Sequence, residues 1–254
     1  MRVEVVTAVH ADYARFLPAA WESLRAQTHT AWAWLVQIDG PASAVRTALV
    51  GCGAAEDARV RIATNGTREG PAVTRNVALG RTTAPFIQNL DADDELEPGA
   101  LTALATALDT HPVAGFAVGQ ARDLLGSGDL VEFPLPFTPG PIARGALVSH
   151  WETEPGRYLL PVHPAGVMWR RDLLLAAGGW SALYNMEDTG LLMTASALAP
   201  GIVVEEVTLR YRRHRNQRST QTTNFEGGGE QISLVRQRAA ALLAGPGWGP
   251  QLVG

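Results

Sequence analysis

The chain has 254 residues, enough for one large α/β domain with a sizeable core and an appended tail. Its 21 Lys and Arg stand against 25 Asp and Glu, a net charge of −4, so it offers no basic footprint for nucleic acid and none is expected as a partner. A single cysteine, Cys52, excludes an internal disulfide and a zinc knuckle and fits a reducing compartment.

The opening MRVEVVTAVH lacks a long apolar core and a small-residue cleavage site. No apolar run approaches the roughly 18 residues of a membrane span. A cytoplasmic protein is expected, with a peripheral visit to the inner membrane face left open. Arg2–Val9 reads as strand one, Leu17–Thr28 as a helix with Pro18 in its first turn, and Trp32–Ile38 as strand two, stopped by Asp39–Gly40–Pro41. Ala42–Val50 reads as helix, Arg59–Ala63 as strand three and Asn65–Gly70 as loop. Pro71 opens a helix to about Leu79, Pro85–Asn89 is strand four, and Pro98 starts an Ala- and Leu-rich helix.

Val113–Phe133 reads as two strands around Gly126–Gly128. Residues 134–165 carry seven prolines and read as loop with one short helix near Arg144–Trp151, a length of irregular chain that is usually functional. A strand (Gly166–Trp169), a helix (Arg171–Ala177), the Gly178–Gly179–Trp180 turn, a helix from about Asp188 to Leu198, a strand (Val203–Arg212) and a helix (Glu230–Leu243) follow. Strands alternating with helices in this way predict a sheet built of βα units.

In open α/β sheets ligands bind beyond the carboxyl ends of the strands, so the residues after each strand belong together. They are Thr7–His10, Asp39, Asn65–Arg68 and Asp91–Asp94. Five of the seven residues from Asp91 to Glu97 are carboxylates, a crowding that calls for a cation. Asp91 and Asp93, spaced i and i+2, suit a hard divalent ion that completes its shell with water and phosphate oxygens. An EF-hand fails here, because its sixth and twelfth positions would be Leu96 and Thr102. Glu95 and Glu97 read as ordinary acids of a helix start. REGPAVTRN enters a helix as a phosphate loop would, without the glycine spacing of a P-loop. Glu187 and Asp188 open an apolar helix, where a carboxylate could serve as a general base or merely complement the helix dipole. Trp151, Trp169 and Trp180 offer aromatic faces for stacking, although such residues are more often core.

From about Val3 to His214 the chain resembles the inverting family 2 glycosyltransferases of the GT-A fold. The pieces run in order: TAVHADYARFLPAAWESLRAQT, the acid of VQIDG, REGPAVTRN, DADD after an apolar strand, GVMWRRDLLLAAGGW, the ED pair, and YRRH. The resemblance implies a three-layer αβα domain over residues 1–220 with a mixed central sheet. Within it, 1–97 would form a Rossmann-like nucleotide-sugar-binding half and 98–220 the acceptor half, with 221–254 a tail carrying a helix. Thr7, Ala8 and Val9 would line the base, Asp39 would bind the base ring, and Arg75 would lie near base and ribose. Asp91 would touch ribose or metal, Asp93 would ligate the metal, and His214 would approach metal or diphosphate. Arg213 or Arg218 would steady leaving-group charge. Asp188 would be the base, with Glu187 beside it to bind or support the acceptor. The implied cofactor is Mn²⁺ or Mg²⁺ and the implied partner a nucleoside diphosphate sugar, a UDP-sugar first, with the acceptor open and a homodimer through the C-terminal helix allowed for. Two alternatives remain: a sugar nucleotidyltransferase, whose glycine-rich loop after strand one is missing here, and a non-catalytic nucleotide-sugar or carbohydrate-binding module, against which the Glu187–Asp188 pair speaks.

Overall fold

A computed structural model describes residues 1–154, 157–215, 217 and 229–249. In chain order the elements are β1 (Val3–Val9), α1 (Leu17–Arg25), β2 (Trp32–Ile38), α2 (Ser43–Gly51), β3 (Val60–Thr64), α3 (Pro71–Gly80), β4 (Phe86–Asn89), β5 (Glu95–Leu96), α4 (Ala100–Thr110), β6 (Phe116–Leu124) and β7 (Leu130–Glu132). They continue as β8 (Gly140–Ile142), α5 (Ala146–Ser149), β9 (Glu152–Glu154), β10 (Arg157–Leu159), β11 (Val167–Arg170), α6 (Arg171–Ala176), α7 (Glu187–Leu198), β12 (Gly201–Arg212) and α8 (Gly229–Leu243).

The main sheet has the order β3-β2-β1-β4-β11-β6-β12-β5, with β7 on β6 and β8 on β12. β1 runs parallel to β2 and β4, whereas β11 lies antiparallel between β4 and β6, so the sheet is mixed. Alternating residues of its strands enter different cores. Val5, Phe86, Met168 and Ile202 join α1, α2 and α4 on one face. Val6, Ile87, Trp169 and Val203 join α3, α6, α7 and α8 on the other. Two covered faces explain why β2 is buried at every position and is apolar but for Gln37. This is a three-layer αβα architecture with a mixed sheet, as expected.

The departures from the sequence reading are local. A 3-10 turn, Ala11–Phe16, precedes α1, which ends at Arg25 rather than Thr28. Residues 134–165 contain β8 to β10 besides the one helix expected there. The apolar side of α8, Val235 and Ala239, is buried, and Val235 joins the core on the α7 side. That helix therefore has a partner within its own chain. Trp151, Trp169 and Trp180 are all nearly fully buried, which places them in the core and removes them as stacking surfaces. Among the described residues no helix is long and apolar enough to cross a membrane.

Candidate active site

β1, β2 and β4 run parallel, so their carboxyl ends open on one edge of the sheet, and α3 and α7 come to the same edge. Asp39, just past β2, accepts hydrogen bonds from the backbone N–H groups of Glu69 at 2.7 Å and Gly70 at 3.1 Å. Those amides are thereby occupied, so the loop before α3 is an Asp39-tethered turn rather than an open phosphate cradle. Gly70 takes φ +86° there, a conformation that glycine adopts freely.

Of the three residues expected along the base, Thr7 is fully buried. Its hydroxyl donates to the Leu90 carbonyl at 2.7 Å and accepts from the Trp34 indole N–H at 2.8 Å. The Thr7 side chain therefore serves the core and not a ligand. Val9 is buried as well, and only Ala8 keeps a half-buried side chain.

The acidic segment finds its cations within the chain. Asp91 accepts from Arg75 Nη2 at 2.6 Å and from the Asn89 amide at 3.3 Å. Burial drives its carboxyl up, but the Arg75 charge and these bonds outweigh it and hold Asp91 below the ordinary value. Asp93 Oδ2 meets His214 Nε2 at 2.9 Å, and burial together with the Asp91 charge raises the Asp93 carboxyl. Asp94 is fully buried, and its Oδ1 accepts from the Arg212 backbone N–H at 2.9 Å. Burial and the charges of Asp93 and Asp91 push its carboxyl well up.

Glu95 and Glu97 are not helix-start acids. β5 pairs with β12, so Glu97 receives two hydrogen bonds from Arg210, at 2.8 and 2.7 Å, and Glu95 is bound by Arg212. Arg210, Arg212 and His214 thus all face the acids, as alternation along a strand requires, while Arg213 turns towards Asp123 at 3.6 Å. Arg218 lies outside the described residues. His214 is also ringed by Tyr13 and Phe16, at centroid distances of 5.7 and 4.8 Å. The sequence reading did not single out these two aromatics; their i, i+3 spacing ahead of α1 was the available signal.

The acids at the head of α7 converge on the same guanidinium. Arg75 Nη1 lies 3.3 Å from Asp188 Oδ1 and 3.5 Å from Glu187 Oε1, while Nη2 holds Asp91. Arg75 is almost fully buried, and burial alone would weaken its hold on its proton; the three carboxylates more than reverse this. Its place is therefore between acid groups from two elements, not beside a base ring alone. Glu187 has a side chain only 6% exposed, whereas that of Asp188 is 25% exposed. Of the two, Asp188 is the more exposed carboxylate.

His163 borders the site. Its Nδ1 caps the turn Pro164–Gly166, and its ring packs between Tyr211 and Phe133. Burial draws the imidazole down from 6.5 to about 4 against the pull of the Asp91 charge. The unfolded chain therefore takes up this proton first, and stability falls as pH drops from about 6.5 towards about 4. His163→Phe is expected to flatten that slope when urea midpoints are measured between pH 7 and 4.5.

Comparison with known proteins identifies the family and the fold. A family profile described as glycosyl transferase family 2 matches residues 4–133, half of the chain. No curated protein sequence matches. Residues 1–349 of S. aureus TarS, solved in complex with UDP-GlcNAc, superpose with a TM-score of 0.72 at 15% identity, over 96% of this chain and 71% of that one. The UDP complex of the same TarS fragment gives 0.68 at 15% identity, over 96% and 70%. A longer TarS structure gives 0.66 at 15% identity, and the match covers 96% of this chain and 42% of that one. At such identity the superpositions speak for the fold, which is that of the GT-A glycosyltransferases. The family match decides for transfer over the nucleotidyltransferase and binding-module alternatives: the chain belongs to glycosyl transferase family 2 and is a glycosyltransferase.

Proposed function

We propose that the protein moves a sugar from a UDP-sugar to an acceptor hydroxyl or other nucleophile, with inversion at the anomeric carbon and Asp188 as general base. The observation that carries this reading is the placement of one guanidinium, Arg75, between Asp91 beyond β4 and the Glu187–Asp188 pair of α7. An inverting displacement needs the leaving diphosphate on one side of the anomeric carbon and a base on the other. A strand-end acid and a helix-head acid separated by a single side chain supply those two sides. The UDP-GlcNAc and UDP complexes of TarS support the choice of nucleotide. Residues 1–97, with Ala8 and Asp39, would take the nucleotide; 98–220 would take the acceptor, and 221–254 form the tail. The lone cysteine supports a cytoplasmic setting, with the acceptor met there or at the inner membrane face.

Asp188 takes the proton of the acceptor hydroxyl as its oxygen bonds to the anomeric carbon. The bond from that carbon to the β-phosphate oxygen breaks, and its electron pair leaves with UDP. Arg75 aims Asp188 through its 3.3 Å contact, and Glu187 anchors Arg75 from behind.

Mn²⁺ or Mg²⁺ fits the donor set. Asp93 and His214 meet at 2.9 Å, and the raised carboxyls of Asp93 and Asp94 mark excess negative charge that a cation would offset. Among the described residues no three or more His, Cys, Asp or Glu form a group that could hold a metal ion by themselves. These hard ions need only one or two protein carboxylates, because diphosphate oxygens and water fill the remainder. Asp93, assisted by Asp91 or His214, would hold the ion, which when bound offsets charge on the departing diphosphate. In calorimetric titrations with UDP, Asp93→Ala is expected to lose the gain in affinity that Mn²⁺ confers. Wild-type affinity in Mn²⁺ would sink the metal assignment.

A further inference from the structure

The segment between α6 and α7 delivers Glu187 and Asp188, and it is held in an unusual way. At its start, Asn76, the residue after Arg75, exchanges two hydrogen bonds with the backbone of Trp180, both at 2.9 Å. Near its end, Gln231 of α8 does the same to Tyr184, accepting from its N–H at 2.8 Å and donating to its carbonyl at 3.2 Å. Each amide side chain imitates a strand partner and fixes one residue of an otherwise irregular stretch. Two further ties act between them. Arg238 of α8 reaches the Ser181 hydroxyl at 3.2 Å, and Gly190 of α7 lets Ser181 approach so closely that an added Cβ would collide with it and crowd Leu183.

This clamping presents one side chain outward. Tyr184 is 68% exposed, the highest value among the large apolar side chains described. Asn185, next to it, is the one non-glycine residue described with positive φ, at 58°, a conformation that costs energy unless its surroundings enforce it. Tyr184 lies four positions before Asp188, so chain geometry keeps the two Cα atoms within about 14 Å. Its ring stands in water, while its backbone is fixed in the same segment that leads to Asp188.

Resting on the reading of Asp188 as base, we propose that Tyr184 is the platform on which a sugar ring of the acceptor stacks, held in register by Gln231. The segment and the helix that ties it carry polar side chains, Ser181, Asn185, Gln231 and Arg238, which suits an amphipathic sugar better than a lipid chain. A sugar lays the C–H face of its ring on the aromatic and leaves its hydroxyls to those neighbours. α8 thereby belongs to the acceptor-binding apparatus and is more than a structural tail.

The test uses the full chain with UDP-GlcNAc and Mn²⁺, and methyl β-D-glucopyranoside and methyl N-acetyl-β-D-glucosaminide as acceptor probes. The ratio of transfer to donor hydrolysis is expected to fall roughly three- to tenfold in Tyr184→Ala, the range of a lost aromatic stack, and to be kept in Tyr184→Phe. Gln231→Ala should fall between them. Saturation-transfer NMR on the same glycosides, which needs no turnover, should show signal at the ring C–H protons in wild type and Tyr184→Phe, and a loss in Tyr184→Ala. Equal ratios or equal saturation in wild type and Tyr184→Ala would overturn the proposal, as would a wild type that contacts neither glycoside. Absence of any UDP-GlcNAc turnover would count instead against the proposed donor chemistry, with the NMR contact still deciding the platform.

Discussion

Asp188→Asn is expected to lower turnover by about three orders of magnitude, within the range that a positioned general base contributes, while leaving UDP affinity within about threefold. Asparagine keeps the shape of the side chain and an oxygen that can accept from Arg75 Nη1, now at 3.3 Å, so the site should hold its form. What disappears is the capacity to take a proton. Glu187 is a poor substitute because its side chain is nearly buried and already faces Arg75. Steady-state rates of UDP release, with calorimetry as the binding control, separate the two effects. A variant that keeps a tenth of wild-type turnover would mean that another group is the base.

The second large effect belongs to Arg75. Its guanidinium lies within 4 Å of the Asp91, Glu187 and Asp188 carboxylates at once. Arg75→Met fills similar space but leaves three partly or fully buried acids facing one another. Removal of one member of a buried ion pair costs about 3–5 kcal/mol, which for a domain of this size lowers Tm by roughly 10 °C. Arg75→Lys should recover only part of this, since an ammonium cannot reach three carboxylates with a planar fork. Adding Asp91→Asn to Arg75→Met should also recover part of the loss by removing one unbalanced charge. Thermal unfolding of the four proteins checks the series, and a Tm for Arg75→Met within about 2 °C of wild type would show that the acids do not depend on it.

The fold was largely legible because β-branched and aromatic runs at β1, β2 and β4 and helical runs at α3, α4 and α7 carry their own periodicity. β5 was not, since two residues carry no period; it exists because β12 is there to pair with it. The antiparallel place of β11 between β4 and β6 was equally invisible in the chain order. The same limit governs the site. Strand-end acids and the ED pair could be picked out as residue types, but their shared partner could not, because 112 and 113 residues separate Arg75 from Glu187 and Asp188. Thr7 looked ligand-facing by its position at a strand end, yet the indole of Trp34 and the carbonyl of Leu90 claim its hydroxyl. Burial of the three tryptophans likewise depends on what the second face of the sheet receives, which no local pattern records.

The central claim is inverting transfer from a UDP-sugar with Asp188 as base, and the anomeric outcome tests it most directly. Time-resolved proton NMR of UDP-GlcNAc, an α-linked donor, with enzyme and Mn²⁺ should show the β-anomer of the transferred or hydrolysed sugar first, at a rate that Asp188→Asn abolishes. Initial formation of the α-anomer, or an unchanged rate in that variant, would contradict it.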